Sequence, residues 1–203
     1  MSTKQIVALV APLVLVGTMI PVFRALAKAM TASWRLAWYL GLVLYWLTWC
    51  GILPLLLVGR TGLANMIRPQ RLTISRGILA LVPVIGASLY RLVPGMYYEK
   101  PSLAMSLLIL STCLGNGFFE ELLWRGMYLH LFPKSLLLGV VWPTIWFGLW
   151  HYAPGAINPD GNPLGLMIGS AMMGGYLGFL SRQTGTIWWC ILGHTLGGVI
   201  MIG

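Results

Sequence analysis

Two adjacent carboxylates inside an apolar run are the first feature of this sequence that could do chemistry. The chain has four acidic residues, Glu99, Glu120, Glu121 and Asp160. Glu99 and Asp160 fall in polar connections and are expected to be solvated. Glu120 and Glu121 interrupt a hydrophobic stretch. A charge at mid-bilayer costs about 2.5–3.5 kcal/mol on insertion scales, so such acids usually mark a reaction site or a pathway. Neighbouring helical residues point about 100° apart, so the two glutamates are expected to do different jobs. Arg125 lies at i+4 from Glu121, with the acid N-terminal to the base, which favours an ion pair. Glu121 is therefore assigned to Arg125 as a mainly structural pair. Glu120 is left for general-base work, which suits a carboxylate kept from bulk water.

The histidines are His130, His151 and His194. His130 sits near a helix end and reads as interfacial. His151 closes an aromatic run that includes Trp146, Phe147 and Trp150, and His194 lies inside the last apolar helix. Counting residues gives their depth. Glu120 falls about 16 Å, His151 about 24 Å and His194 about 10 Å from one common membrane face, at 1.5 Å per residue. All three then lie within a hydrocarbon core about 30 Å thick. Tilt, or a kink at Pro143, must close the remaining spread.

The elements that would carry these residues follow from composition. The 203-residue chain is 58% hydrophobic and 8% charged, with a mean hydropathy of +0.83. A soluble domain carries about 25% charged residues, and disorder needs the opposite balance. The expected fold is an all-α, polytopic helical membrane protein of about seven (six to eight) transmembrane helices. It is one membrane domain over 1–203, with a motif-bearing core at about 102–203. The expected spans are Ile6–Phe23, Leu36–Gly59 kinked at Pro54, a short or re-entrant Gly77–Tyr90, a helix from Ser102 to about Leu131, Ser135–His151, Leu164–Leu180 and Ile187–Ile202. Arg60–Arg76 and Tyr152–Pro163 read as connections.

Ile6–Phe23 is long for a signal-peptide core and is followed at once by Arg24, so it reads as a span. The net charge of +9 is read as a topology signal that meets lipid headgroups, with membrane lipids as partners and no nucleic acid. Eight basic residues on the segments that share the N-terminal side, against five opposite, place the N-terminus in the cytoplasm. Cys50, Cys113 and Cys190 are expected to be buried free thiols. The pairs Gly165/Gly169, Gly174/Gly178 and Gly193/Gly197 are spaced for close helix approach.

Glu120-Glu121-Leu122-Leu123-Trp124-Arg125 has the form EExxxR, Phe147-Gly148-Leu149-Trp150-His151 has the form FxxxH, and His194 follows in a final apolar helix. In order and spacing these resemble the CAAX protease and bacteriocin-processing (CPBP, or Abi) family of intramembrane proteases, which includes the type II CAAX prenyl endopeptidases. The resemblance covers roughly Ser102 to Gly203. It implies hydrolysis of peptide bonds in membrane-associated peptide or protein substrates, with Glu120, Glu121, His151 and His194 as the catalytic set. The family commonly carries Asn or Asp four residues after the third-motif histidine. This chain has Gly198 there, and Asn116, one turn before Glu120, is a candidate substitute.

Two schemes fit the residues. In one, Glu120 activates water while His151 and His194 polarise the carbonyl, and no cofactor is needed. In the other, His151, His194 and Glu120 hold Zn²⁺, whose bound water attacks. The absence of HExxH favours the first. The alternatives to a protease are a catalytically silent interaction or immunity protein of the same family, which Gly198 favours, and a small transporter. No internal repeat supports the transporter.

Overall fold

Seven helices carry the described residues, 1–91, 102–159 and 161–202, of the computed structural model. They are α1 (Thr3–Ala29), α2 (Trp34–Ile67), α3 (Ile74–Arg91), α4 (Leu103–Leu131), α5 (137–150), α6 (Pro163–Thr184) and α7 (Trp188–Ile202). Among the described residues there is no strand. Four helices, α1, α2, α4 and α6, are long and apolar enough to cross a membrane, and α3 and α7 contain shorter apolar stretches. Glu99, Lys100 and Asp160 lie outside the described residues.

The distribution of polarity is inverted relative to a soluble protein. Leu56, Met172, Ile74 and Leu103 lie on the outside at 69–87% exposure, while Glu120, Glu121 and Arg125 are 0–2% exposed in the centre. Lipid can cover such an outer surface without cost, and the acids must then find partners within the bundle.

Local signals account for most helix ends. Ser2 and Gln5 form a capping box at the start of α1, and Ser102 caps α4 through the Met105 amide, each holding an amide with no intrahelical partner. The expected connection at Arg60–Arg76 is largely helix, because α2 runs on to Ile67 and α3 starts at Ile74. The departure of α2 from helical angles comes at Gly59 (φ 81°, ψ 164°), not at Pro54. That φ suits glycine alone. Pro54 and Pro143 each follow a π-helical segment, Trp46–Ile52 and Leu137–Val141. The wider turn relieves the missing proline N–H and the clash with the carbonyl before it. Within the expected connection Tyr152–Pro163, Tyr152–Gly155 forms one turn of helix.

Most of the glycines expected to draw helices together do so. A Cβ on Gly193 would lie 3.2 Å from Pro83 of α3, and one on Gly178 would lie 2.9 Å from Val140 of α5. The pair Gly165/Gly169 does not. Gly169 has nothing within 4 Å, and Gly165 meets only its own capping residue, Asn162. All three cysteines are free and buried.

One end of the bundle gathers the basic connections. Gln5 donates to the Leu131 carbonyl, Arg182 to the Pro133 carbonyl and Thr186 to the Met66 and Arg68 carbonyls. These contacts bring Lys4, Arg68, Lys134 and Arg182 to a common end. Arg125, counted with that end in the charge balance, is instead buried in the centre.

Candidate active site

The site grows from the middle of α4, where the backbone leaves ordinary helical geometry twice. Asn116–Glu120 and Leu122–Met127 are both π-helical. A π turn holds more residues than an α turn, so neighbouring side chains diverge less. As a result both glutamates reach the same partner. Glu121 Oε1 lies 2.8 Å from His194 Nδ1, and Glu120 Oε2 lies 3.8 Å from His194 Nε2. Both acids face this one histidine, Glu121 at hydrogen-bond distance and Glu120 across a longer gap. The expected Glu121–Arg125 pair is present at 2.8 Å. Glu121 Oε1 therefore bridges an arginine and a histidine.

A close helix crossing brings His194 into position. A Cβ on Gly117 would clash with Thr195 Oγ1, the residue after His194, so only glycine lets α7 lie this near α4. One turn further along α7, a Cβ on Gly198 would sit 3.1 Å from Cys113 Sγ. Position 198 thus faces a thiol on α4. Asn116 is occupied in another way, since its Oδ1 accepts from Trp46 Nε1 at 3.0 Å.

The FxxxH segment reaches the glutamates through its aromatic residues. Trp150 Nε1 donates to Glu120 Oε1 at 3.2 Å. The Phe147 ring lies under the Arg125 guanidinium at 4.3 Å and edge-on to His151 and His194, with ring centroids 4.6 and 6.4 Å away. His151 Nδ1 stands 2.6 Å from the Phe147 carbonyl oxygen. A carbonyl only accepts, so that nitrogen carries a proton. His151 makes no hydrogen bond or ion pair with either glutamate. His130 is exposed at the end of α4, beside Gly62 and away from this cluster.

Three polar atoms in this cluster are buried without a partner: Glu120 Oε2, Glu121 Oε2 and Arg125 Nη2. Such atoms are rare in folded proteins and call for a water, an ion or a ligand. Among the described residues no three His, Cys, Asp or Glu side chains are grouped so as to hold a metal ion. Both His194 nitrogens already face carboxylates, and His151 makes no ion pair with either acid. In this arrangement the residues do not form a three-ligand zinc site.

Sequence reasoning missed Trp150, Phe147 and Gly117 as parts of the site. Trp150 and Phe147 lie in a visible aromatic run, but a hydrogen bond to Glu120 leaves no mark in spacing. Gly117 is one of 25 glycines, and nothing sets it apart until α7 is laid beside it.

Residues 102–200 match the type II CAAX prenyl endopeptidase Rce1-like family. The match covers just under half of the chain and includes all three motifs. It agrees with the resemblance read from EExxxR, FxxxH and the late histidine. No curated protein and no solved structure shows significant similarity to the chain. The Rce1-like match supports a CAAX-type intramembrane protease in general terms, and the apolar helices fit an integral membrane protein.

Proposed function

We propose that this protein is an intramembrane endopeptidase that hydrolyses peptide bonds of membrane-associated substrates, prenylated CAAX-type C-termini among them. One observation carries the reading. Glu120 Oε2 is buried, has no hydrogen-bond partner and faces His194 Nε2 across 3.8 Å. That gap is too long for a direct hydrogen bond, and a bridging water suits it.

Glu120 takes a proton from this water as the oxygen attacks the scissile carbonyl carbon. His194, held through Nδ1 by Glu121, offers Nε2 to the developing oxyanion. When the C–N bond breaks, Glu120 returns the proton to the leaving amine. His151 is anchored through Nδ1 on the Phe147 carbonyl, which leaves Nε2 as its nitrogen for polarising the substrate carbonyl. The charge balance supports this division of labour. Arg125 pairs with Glu121 at 2.8 Å and offsets its charge, which leaves Glu120 as the acid without a cationic partner at hydrogen-bond distance.

The test uses purified protein in liposomes with a farnesylated CAAX-type peptide carrying a fluorophore and a quencher. Glu120→Ala, His151→Ala and His194→Ala are each expected to abolish cleavage while the protein still inserts. Wild-type cleavage by Glu120→Ala overturns the reading. Full activity after chelation is the expected result for the glutamate scheme. Loss on chelation, restored by Zn²⁺, replaces it with the metal scheme.

Gly198 favours a second reading, a catalytically silent family member that binds a membrane partner. Its prediction is the reverse: the three alanine variants leave the cellular phenotype intact.

A further inference from the structure

Glu120 has two carboxylate oxygens in unlike surroundings. Oε1 accepts from the Trp150 indole N–H at 3.2 Å, and Oε2 is unpartnered and faces His194. Trp150 is itself fully buried and cannot turn freely. Its ring stacks on Tyr45 with centroids 3.8 Å apart and planes 25° apart, and Phe23 meets it edge-on at 5.9 Å. Tyr45 is fixed in turn, because its hydroxyl accepts from Trp124 Nε1 at 2.7 Å. Tyr45 and Phe23 belong to α2 and α1, outside the matched segment 102–200.

We infer that Trp150 is a positioning residue for Glu120. Its N–H pins one carboxylate oxygen so that the other is presented to the attacking water, and Tyr45 holds the indole in place. The inference rests on the reading of Glu120 as the base. A carboxylate on a flexible two-carbon stem samples several rotamers, and one directional bond at Oε1 selects the rotamer that aims Oε2 at His194. The stack alone would be made equally well by an apolar bicyclic ring of the same shape. The N–H is what a packing role does not require.

The test replaces the indole of Trp150 with benzothiophene, as 3-benzothienylalanine, which keeps the ring shape and removes the N–H. Cleavage of the farnesylated peptide is expected to show kcat reduced about ten-fold with KM unchanged, the size of one hydrogen bond to a charged group. Trp150→Phe should lose at least as much. Unchanged kcat in the benzothiophene protein overturns the inference, and so does a change confined to KM.

A second measurement needs no substrate. The indole ¹H–¹⁵N signal of Trp150, assigned by its loss in Trp150→Phe, should move upfield in Glu120→Ala as the acceptor is lost. A signal that stays in place shows that the bond is absent and overturns the inference. If Glu120→Ala is fully active, the reading of the site fails. If it is inactive while the benzothiophene protein has normal kcat, only the role of Trp150 fails.

Discussion

Residues 1–91 contain no carboxylate and no histidine, whereas residues from 102 onward hold Glu120, Glu121, His151 and His194. The first region nevertheless touches the second where the chemistry is. Tyr45 stacks on Trp150 and accepts from Trp124, Trp46 donates to Asn116, and the Ala8 carbonyl accepts from Tyr128 at 2.6 Å. In the proposed reading the motif-bearing region supplies the reactive groups, and the N-terminal region packs against the aromatic residues that hold them. A family match confined to 102–200 therefore marks where the proposed reaction groups lie, while residues before 102 pack against the same cluster. Mutations can break that division or sharpen it.

The largest effect is expected on the reactive side. Arg125 is 2% exposed and pairs with Glu121 at 2.8 Å. Arg125→Met keeps much of the volume and leaves a buried carboxylate held by His194 alone. Breaking a buried pair from one side costs about 3–5 kcal/mol, and thermal unfolding in detergent should read this as a large loss. A variant as stable as wild type would mean that Glu121 is neutralised by His194 and that the arginine is dispensable.

Next comes the crossing of α4 and α7. Gly117→Ala places a methyl group against Thr195 Oγ1, and overpacking of this kind costs about 1–3 kcal/mol. Because His194 is the neighbour of Thr195, cleavage should fall more than stability does. Gly117→Ala with Thr195→Ala removes the nearest clashing atom and should recover part of the activity. No recovery would place the fault in the π-helical backbone of α4 rather than in the spacing of the two helices.

On the N-terminal side the expected effect is smaller. Tyr45→Phe retains the stack on Trp150 and removes the acceptor for Trp124 Nε1–H, at about 1 kcal/mol. Stability should drop by that amount and kcat by only a few-fold. A loss as large as that of Glu120→Ala would erase the distinction between the two regions.

The sequence displayed the reaction groups more fully than their support. Glu121 and Arg125 could be paired from i,i+4 spacing, and Ser102 after Pro101 announced the start of α4. Counting turns permitted the convergence of Glu120 and His194 but left a spread in depth that only the packed helices close. The π-helical segments could not be read, since no residue pattern sets Asn116–Glu120 apart from an α-helix, and their effect is what lets both glutamates meet one histidine. The extent of α2 was hidden by Arg60, which read as the start of a connection although it lies inside the helix, and by Arg68, which caps its end. Tyr45 carried no signal, because an aromatic residue in an apolar span reads as core whether or not it supports a tryptophan on the site.

The finest test lies within a single helix. On α6, Gly169 and Gly178 look alike in sequence, each being half of a pair spaced by four. Gly178 faces Val140 of α5, where a Cβ would approach to 2.9 Å, whereas Gly169 has nothing within 4 Å. In Gly178→Ala the helix gains propensity, about 1 kcal/mol, but must push against a branched side chain. In Gly169→Ala the gain comes without a clash, so this variant should unfold at the same temperature as wild type or slightly above it. α5 carries both Phe147 and Trp150, so a shift of α6 at Gly178 should reach the glutamates and lower cleavage, and Gly169→Ala should leave cleavage alone. If Gly169→Ala destabilises the protein, that face of α6 is in contact with another helix or a second copy of the chain. The spacing of small residues would then be acting where the isolated fold leaves it idle.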